Sequence, residues 1–228
     1  MLADLAWISF LLAFTALLPL INPIGSALEF LALVGDQPAA IYQSLARRIA
    51  IATLVFLTVI EFLGSLILSF FGVSLPVVQV TGGIVIAATA WSLLFDTDAS
   101  PSAPRKSEDM EAYRLTVSRR LEEKIFYPFT FPITAGPGTL VTMLTLSAHV
   151  SSKALPEAAA KHFGIVMAAA VLCVSVYLCY GYAPSLIKAI SPSSVRGILR
   201  VIAFILMCIG VQITWNGLSG LNASLMHH

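Results

Sequence analysis

The sequence is short of charge. Only 11% of its 228 residues are Asp, Glu, Lys or Arg, while 58% are hydrophobic; soluble domains run nearer one quarter charged. So few charges cannot cover a water-facing surface, which excludes an ordinary soluble domain. Thirteen basic residues against twelve acidic ones leave +1 overall, which excludes a nucleic-acid binder working by bulk charge. The three cysteines, Cys173, Cys179 and Cys208, sit in apolar stretches with no Cys-x-x-Cys pair. They read as small hydrophobes, and no disulfide is expected. No basic residue precedes Arg47, so the charged start of a cleavable signal is missing and the opening apolar run is too long for one. There is no His-Glu-x-x-His, no pair of intramembrane aspartates and no histidine placed within a span to activate a serine. No enzymatic activity, metal or cofactor is therefore expected.

Long apolar runs dominate instead. A bilayer crossing takes about 20 apolar residues, and six such segments are read at 5–34, 49–71, 73–95, 126–150, 163–183 and 201–218. The expected fold class is an all-α integral membrane protein with six transmembrane helices. The stretch 96–124 is polar, with seven acidic and six basic residues, and reads as a solvated linker. It divides the chain into a first three-helix repeat (1–95), a linker (96–125) and a second three-helix repeat (126–228).

Lys and Arg set the expected orientation. Arg47 and Arg48, then Arg105, Lys106, Arg114, Arg119, Arg120 and Lys124, then Lys188, Arg196 and Arg200 follow the odd-numbered spans; only Lys153 and Lys161 fall on the other side. That bias places the odd loops in the cytoplasm and both termini outside.

Two spans carry interruptions. The first contains Pro19 and Asn22-Pro23-Ile24-Gly25; the fourth contains Pro128, Pro132 and Ala135-Gly136-Pro137-Gly138. A proline inside a helix removes one hydrogen bond and costs about 3 kcal/mol, and hydrocarbon offers no water to the freed groups. The local residues read as helix restarts: Asn22 and Gly136 as N-caps, Pro23 and Pro137 at the first helical positions. Each interruption opens its own three-span half, and because three is odd the halves sit inverted. Two helix N-termini would then present free amides and partial positive charge to a shared centre, beside free carbonyls. Such a site suits a zwitterion or an anion–cation pair, the pattern of secondary transporters built from inverted repeats. The plainer reading is two proline kinks in tightly packed helices.

The binding residues expected on this pattern are Asn22, Gly25 and Ser26 from the first break and Thr134, Gly136, Gly138 and Thr139 from the second. Glu29 and Glu61 are the ionisable candidates for ion coupling, since a carboxylate within a span costs several kcal/mol unless neutralised, paired or hydrated. Glu61 lies mid-span with no plain ion-pair partner, and a permanently protonated structural role is its alternative. Gly82-Gly83 reads as a helix-packing pair, and Trp7, Trp91 and Trp215 as interface anchors.

Asn22-Pro23-Ile24-Gly25 with Phe30, Gly82-Gly83, Pro128, Pro132, Ala135-Gly136-Pro137-Gly138, and the closing Val211-Gln212 and Asn216-Gly217 resemble the MarC family of bacterial and archaeal inner-membrane proteins over essentially the whole chain. The resemblance implies six spans in a three-plus-three repeat. It further implies ion-coupled transport of small neutral amino acids such as glycine and alanine, since some members are described so. Leu28, where members often have proline, Glu29, where an apolar residue is usual, and Ala203, in place of a frequent glycine, depart from the pattern. The expected partners are thus a small amino acid, H⁺ or Na⁺ and the lipid of the inner membrane, with an oligomer possible. A structural or regulatory membrane subunit, or an exporter of another small solute, is the alternative.

Overall fold

A computed structural model describes residues 1–35, 37–95, 123–148, 150, 154–185 and 192–226. Most of the expected linker, and Asp36, His149, Lys153 and Lys188, lie outside the described residues. The described elements are all helices: α1 (Leu2–Ile21), α2 (Pro23–Val34), α3 (Ala39–Phe70), α4 (Leu75–Phe95), α5 (Ile125–Thr134), α6 (Pro137–Ala148), α7 (Leu155–Gly181) and α8 (Pro192–Met226). Five stretches are long and apolar enough to cross a membrane: Leu2–Leu31, Ala39–Phe70, Leu75–Ser92, Leu155–Gly181 and Arg200–Ala223. The bent pair α5–α6, meeting at 71°, makes a sixth if it is one span. Only helices satisfy their own backbone in hydrocarbon without neighbours, which is why apolar runs of this length take that form. Phe70, Trp7, Trp91 and Trp215 stay more than half exposed, surfaces that suit lipid.

Three helices start eight or more residues earlier than hydropathy places them, α8 at Pro192 rather than 201. α3 begins at Ala39, directly after Pro38, rather than at 49; its first turns bury Tyr42, Leu45 and Ala46 and leave Arg47 and Arg48 exposed. An amphipathic stretch of that kind lowers mean hydropathy without ending the helix. α7 begins at Leu155 rather than 163, with Pro156 in its first turn, where a proline costs no hydrogen bond.

At both proline–glycine stretches the backbone leaves regular helix, the first inside one apolar stretch, Leu2–Leu31, and the second at a 71° bend. Between α1 and α2, Asn22 is left-handed (φ 43, ψ 67), a conformation that asparagine tolerates better than most residues. Its side-chain Oδ1 accepts from the Gly25 amide at 3.1 Å, and Pro23 takes the first helical position. α5 is wound wide, with Tyr127 (φ −121, ψ 122) and Phe131 (φ −125, ψ 125) extended rather than helical. Each directly precedes a proline, whose ring crowds the helical conformation of the residue before it.

Packing centres on α7, which touches α1, α2 and α3. α3 also packs on α5 and α6; α4 on α6 and α8; α1 on α6 and α8; and α2 on α5. Leu17, Ile21, Phe30, Phe129, Leu172 and Val176 are fully buried together in the core. α4 and α8 approach through glycines. A Cβ on Gly210 would fall 2.6 Å from Ala87 N, and one on Gly217 2.7 Å from Pro76 O. Gly82 and Gly83 face two different neighbours, Val141 of α6 and Thr214 of α8.

Gly210→Val should therefore destabilise the detergent-purified protein by about 1–3 kcal/mol through overpacking. Gly197→Ala, in a helix with nothing near the added Cβ, should leave the melting temperature unchanged or raised. Asn22→Gly should cost a few tenths of a kcal/mol, since it keeps the left-handed turn, while Asn22→Leu should cost about 2 kcal/mol in lost cap and backbone conflict. Thermal unfolding in one detergent checks all four.

Candidate functional site

At the first interruption some of the freed groups find local partners. A helix start leaves its first amides without partners and a helix end does the same to its last carbonyls. Here the Asn22 side chain takes the Gly25 amide, and the Ser26 amide reaches Asn22 O at 2.9 Å. The Ser26 hydroxyl donates back to Asn22 O at 2.8 Å and Ile21 O at 3.2 Å, covering the end of α1. A Cβ on Gly25 would run into the Asn22 side chain, so glycine is what leaves the cap room. Asn22, Gly25 and Ser26 thus bond to one another at this break, while the Ile24 amide, like the Gly138 amide of the second, precedes the helical ladder.

The second interruption lacks the side-chain cap of the first. Leu140 is the first amide to bond back into α6, to Gly136 O at 3.2 Å, so the Gly138 and Thr139 amides precede the helical ladder. The hydroxyls of Thr130, Thr139 and Thr142 are buried and without a hydrogen-bond partner. Thr58, Thr81, Thr89, Thr145 and Thr214 do what threonine usually does in an apolar helix and bond the carbonyl one turn back, whereas Thr53, buried in the regular part of α3, is unpartnered like the three at the break. Thr139 stands in the first turn of α6, where the break has removed the preceding turn. Thr134 donates to Phe129 O at 2.7 Å, which leaves the Tyr180 hydroxyl to donate to Thr134 Oγ1 at 2.9 Å.

The two breaks meet. A Cβ on Gly138 would lie 3.1 Å from Leu20 Cδ2, at the end of α1, and 2.5 Å from Ile86 Cγ1 of α4. Gly136 precedes α6 against Pro132 O. On the far side of the breaks the Phe30 ring stacks on Tyr180 at 4.5 Å and meets Phe129 edge-on at 5.3 Å. Tyr180, fully buried, also neighbours the Ser26 hydroxyl and the Glu29 carboxyl. It thus joins both breaks in one polar contact. Glu29 itself is exposed, with Ser26 and Phe30 buried beside it.

Glu61 has a partner that sequence reasoning missed. His162 Nδ1 lies 2.7 Å from Glu61 Oε1, and the Ser147 hydroxyl donates to the Glu61 backbone carbonyl at 2.5 Å. The expectation of no basic partner failed because His162 was placed at a span end, whereas α7 begins seven residues before it. A signal was present: His162 and Tyr180 are 18 residues apart, five full turns, so they share one face of α7. No group of three or more His, Cys, Asp or Glu suited to a metal occurs among the described residues.

Comparison with known proteins bears on the whole chain. Residues 7–222 match the family described as MarC family integral membrane protein. The chain is similar to the UPF0056 inner membrane protein MarC of Salmonella paratyphi A, 27% identical over 219 residues, covering 90% of this chain and 92% of the relative. The protein of the same description from Escherichia coli O1:K1 / APEC is 27% identical over 215 residues, with 91% and 92% covered. That from Citrobacter koseri is 28% identical over 215 residues, with 90% and 92% covered. No solved structure matches. All-helical architecture, membrane-length apolar helices and a match across nearly every residue agree: the chain belongs to the MarC family of inner-membrane proteins.

Proposed function

We propose that the protein is a secondary transporter of small zwitterions of the neutral amino acid class, built as a three-plus-three inverted repeat with an ion-coupled central site. The observation that carries this reading is the set of buried, unpartnered hydroxyls at the second break, Thr130, Thr139 and Thr142. An orphaned hydroxyl costs roughly 1–3 kcal/mol, a penalty that a purely structural helix start has no reason to bear. With the adjoining amides of α6 and the positive end of its dipole, these hydroxyls form donors for a carboxylate. Leu20 and Ile86 crowd Gly138, which on this reading restricts the site to a small solute.

Packing supports the repeat. Exchanging α1–α2 with α5–α6, α3 with α7 and α4 with α8 maps the helix contacts onto themselves: α1 on α7 answers α5 and α6 on α3, and α4 on α6 answers α8 on α1. The pairs α3 on α7 and α4 on α8 map to themselves. α1 packs on α6 while α2 packs on α5, so the first and fourth spans cross antiparallel, as inverted halves require. Alternating access then amounts to rocking one half against the other about the joined breaks. Glu29, accessible three residues after Ser26, is assigned to the substrate ammonium or the coupling cation, and Glu61 to ion coupling.

Purified protein screened against amino acids, with and without sodium, should be thermally stabilised by alanine or glycine and not by large side chains. A flat panel points to a structural or regulatory subunit. Thr139→Val is sharper. Removing an orphaned hydroxyl should leave melting unchanged or raised, while labelled alanine uptake into proteoliposomes falls about tenfold, the value of one lost hydrogen bond. Undiminished uptake would remove Thr139 from the site. Tyr180→Phe keeps the stack on Phe30 and should cost about 1 kcal/mol of stability, read by the same melts.

A further inference from the structure

Glu61 is only 1% exposed, and its two oxygens have different fates. Oε1 is held by His162 Nδ1 at 2.7 Å; Oε2 is buried with no hydrogen-bond partner. The Ser147 hydroxyl, brought up by the end of α6, serves the Glu61 backbone carbonyl and not the carboxylate. The Phe62 ring lies 5.2 Å from the imidazole. A hard cation takes about six oxygen ligands, and one carboxylate oxygen beside an imidazole falls far short of that set. A proton needs one acceptor.

We infer that Glu61 and His162 form a proton-binding site clamping α3, α6 and α7 together at the end of the bundle that holds the α1 N-terminus. Its role in coupling rests on the transport reading above. The imidazole passes its Nδ1 proton to Oε1 of the ionised carboxylate and takes one from water on Nε2, giving a neutral carboxylic acid that donates from Oε1 to the bare Nδ1; release reverses the step. The imidazole is 26% exposed where the Glu61 side chain is fully enclosed, so His162 is the way in. The location fits: Gly164, two residues beyond His162, packs against Ala6 and Phe10 of α1. Beside the pair, a cavity of about 200 Å³ is lined by Leu5, Ser9, Leu146 and Lys161. The other charged groups around the site are few. α7 adds Lys161 and Glu157, α6 has no titratable side chain, and the rest of α3 offers Arg47 and Arg48 more than three turns away. α1 contributes Asp4 and the terminal amine, bonded to each other at 2.7 Å.

Protein in lipid nanodiscs, followed by the infrared band of protonated carboxyl between about pH 5 and about pH 9, bracketing ordinary imidazole titration, tests this without any substrate. The wild type should show one buried carboxyl that changes protonation. Glu61→Gln should lose that band, and His162→Gln should move its midpoint by at least about one pH unit. A wild-type spectrum with no pH-dependent carboxyl, or a band that survives Glu61→Gln, overturns the site. Proteoliposomes separate the coupling claim. Alanine accumulation driven by a pH gradient should fall about tenfold in Glu61→Gln while alanine exchange persists. Gradient-driven accumulation that survives Glu61→Gln overturns the coupling role. A titrating carboxyl in a protein that moves no amino acid would uphold the proton site and sink the transport reading instead.

Discussion

A helix that stops inside hydrocarbon must answer for every amide and carbonyl it frees, because lipid answers for none. Among the described residues the chain leaves regular helix at two proline–glycine stretches and caps them differently. At Asn22 the reply is local: a left-handed asparagine, its own side chain on Gly25 and the Ser26 hydroxyl on the carbonyls behind. At Gly136 the prolines at 128 and 132 have already pulled α5 out of regular helix, and the hydroxyls that follow find no partner. The asymmetry matters more than the likeness of the two motifs. One stretch is capped by its own asparagine; beside the other lie buried hydroxyls without a partner.

The surrounding helices turn this local chemistry into a place. Gly138 lets α6 approach the end of α1 and the middle of α4, which brings the two breaks together. The buried face of α7 runs past both, carrying His162 at one end and Tyr180 at the other. Tyr180 bonds the second break and neighbours the first; His162 holds α7 to α3. Two polar contacts on one helix, five turns apart, flank the joined breaks from opposite ends.

Much of this was legible in the residues. Six apolar runs, the proline–glycine interruptions and the glycines of the fourth and last helices all follow from one-dimensional patterns, since each rests on the identity of a residue and its immediate neighbours. What hydropathy obscured were helix ends: the amphipathic start of α3 and the Pro156 start of α7 average out as loop. That misplacement hid the partner of Glu61, because His162 belongs to the helix and not to the turn before it. The state of the first break was hidden for a different reason. Asn22 was read as a cap, but whether a cap consumes the donors or shares them with a ligand depends on side-chain rotation that no spacing reveals. Thr130 and Thr142 were passed over because threonine in a span normally bonds its own helix; Thr130 lies in the irregular turns of α5, whereas Thr142 lies within α6 and nothing in the helix explains its free hydroxyl.

The central claim is that the start of α6 faces a chamber that water and a small solute enter. Thr139→Cys, in a background without Cys173, Cys179 and Cys208, tests it most directly through reaction with a small, charged, water-soluble thiol reagent in membranes. The account predicts that the introduced thiol reacts and that alanine or glycine slows the reaction. A thiol that stays unmodified in the folded protein, yet reacts fully once it is unfolded, would mean that the second break is sealed within the bundle and holds no solute.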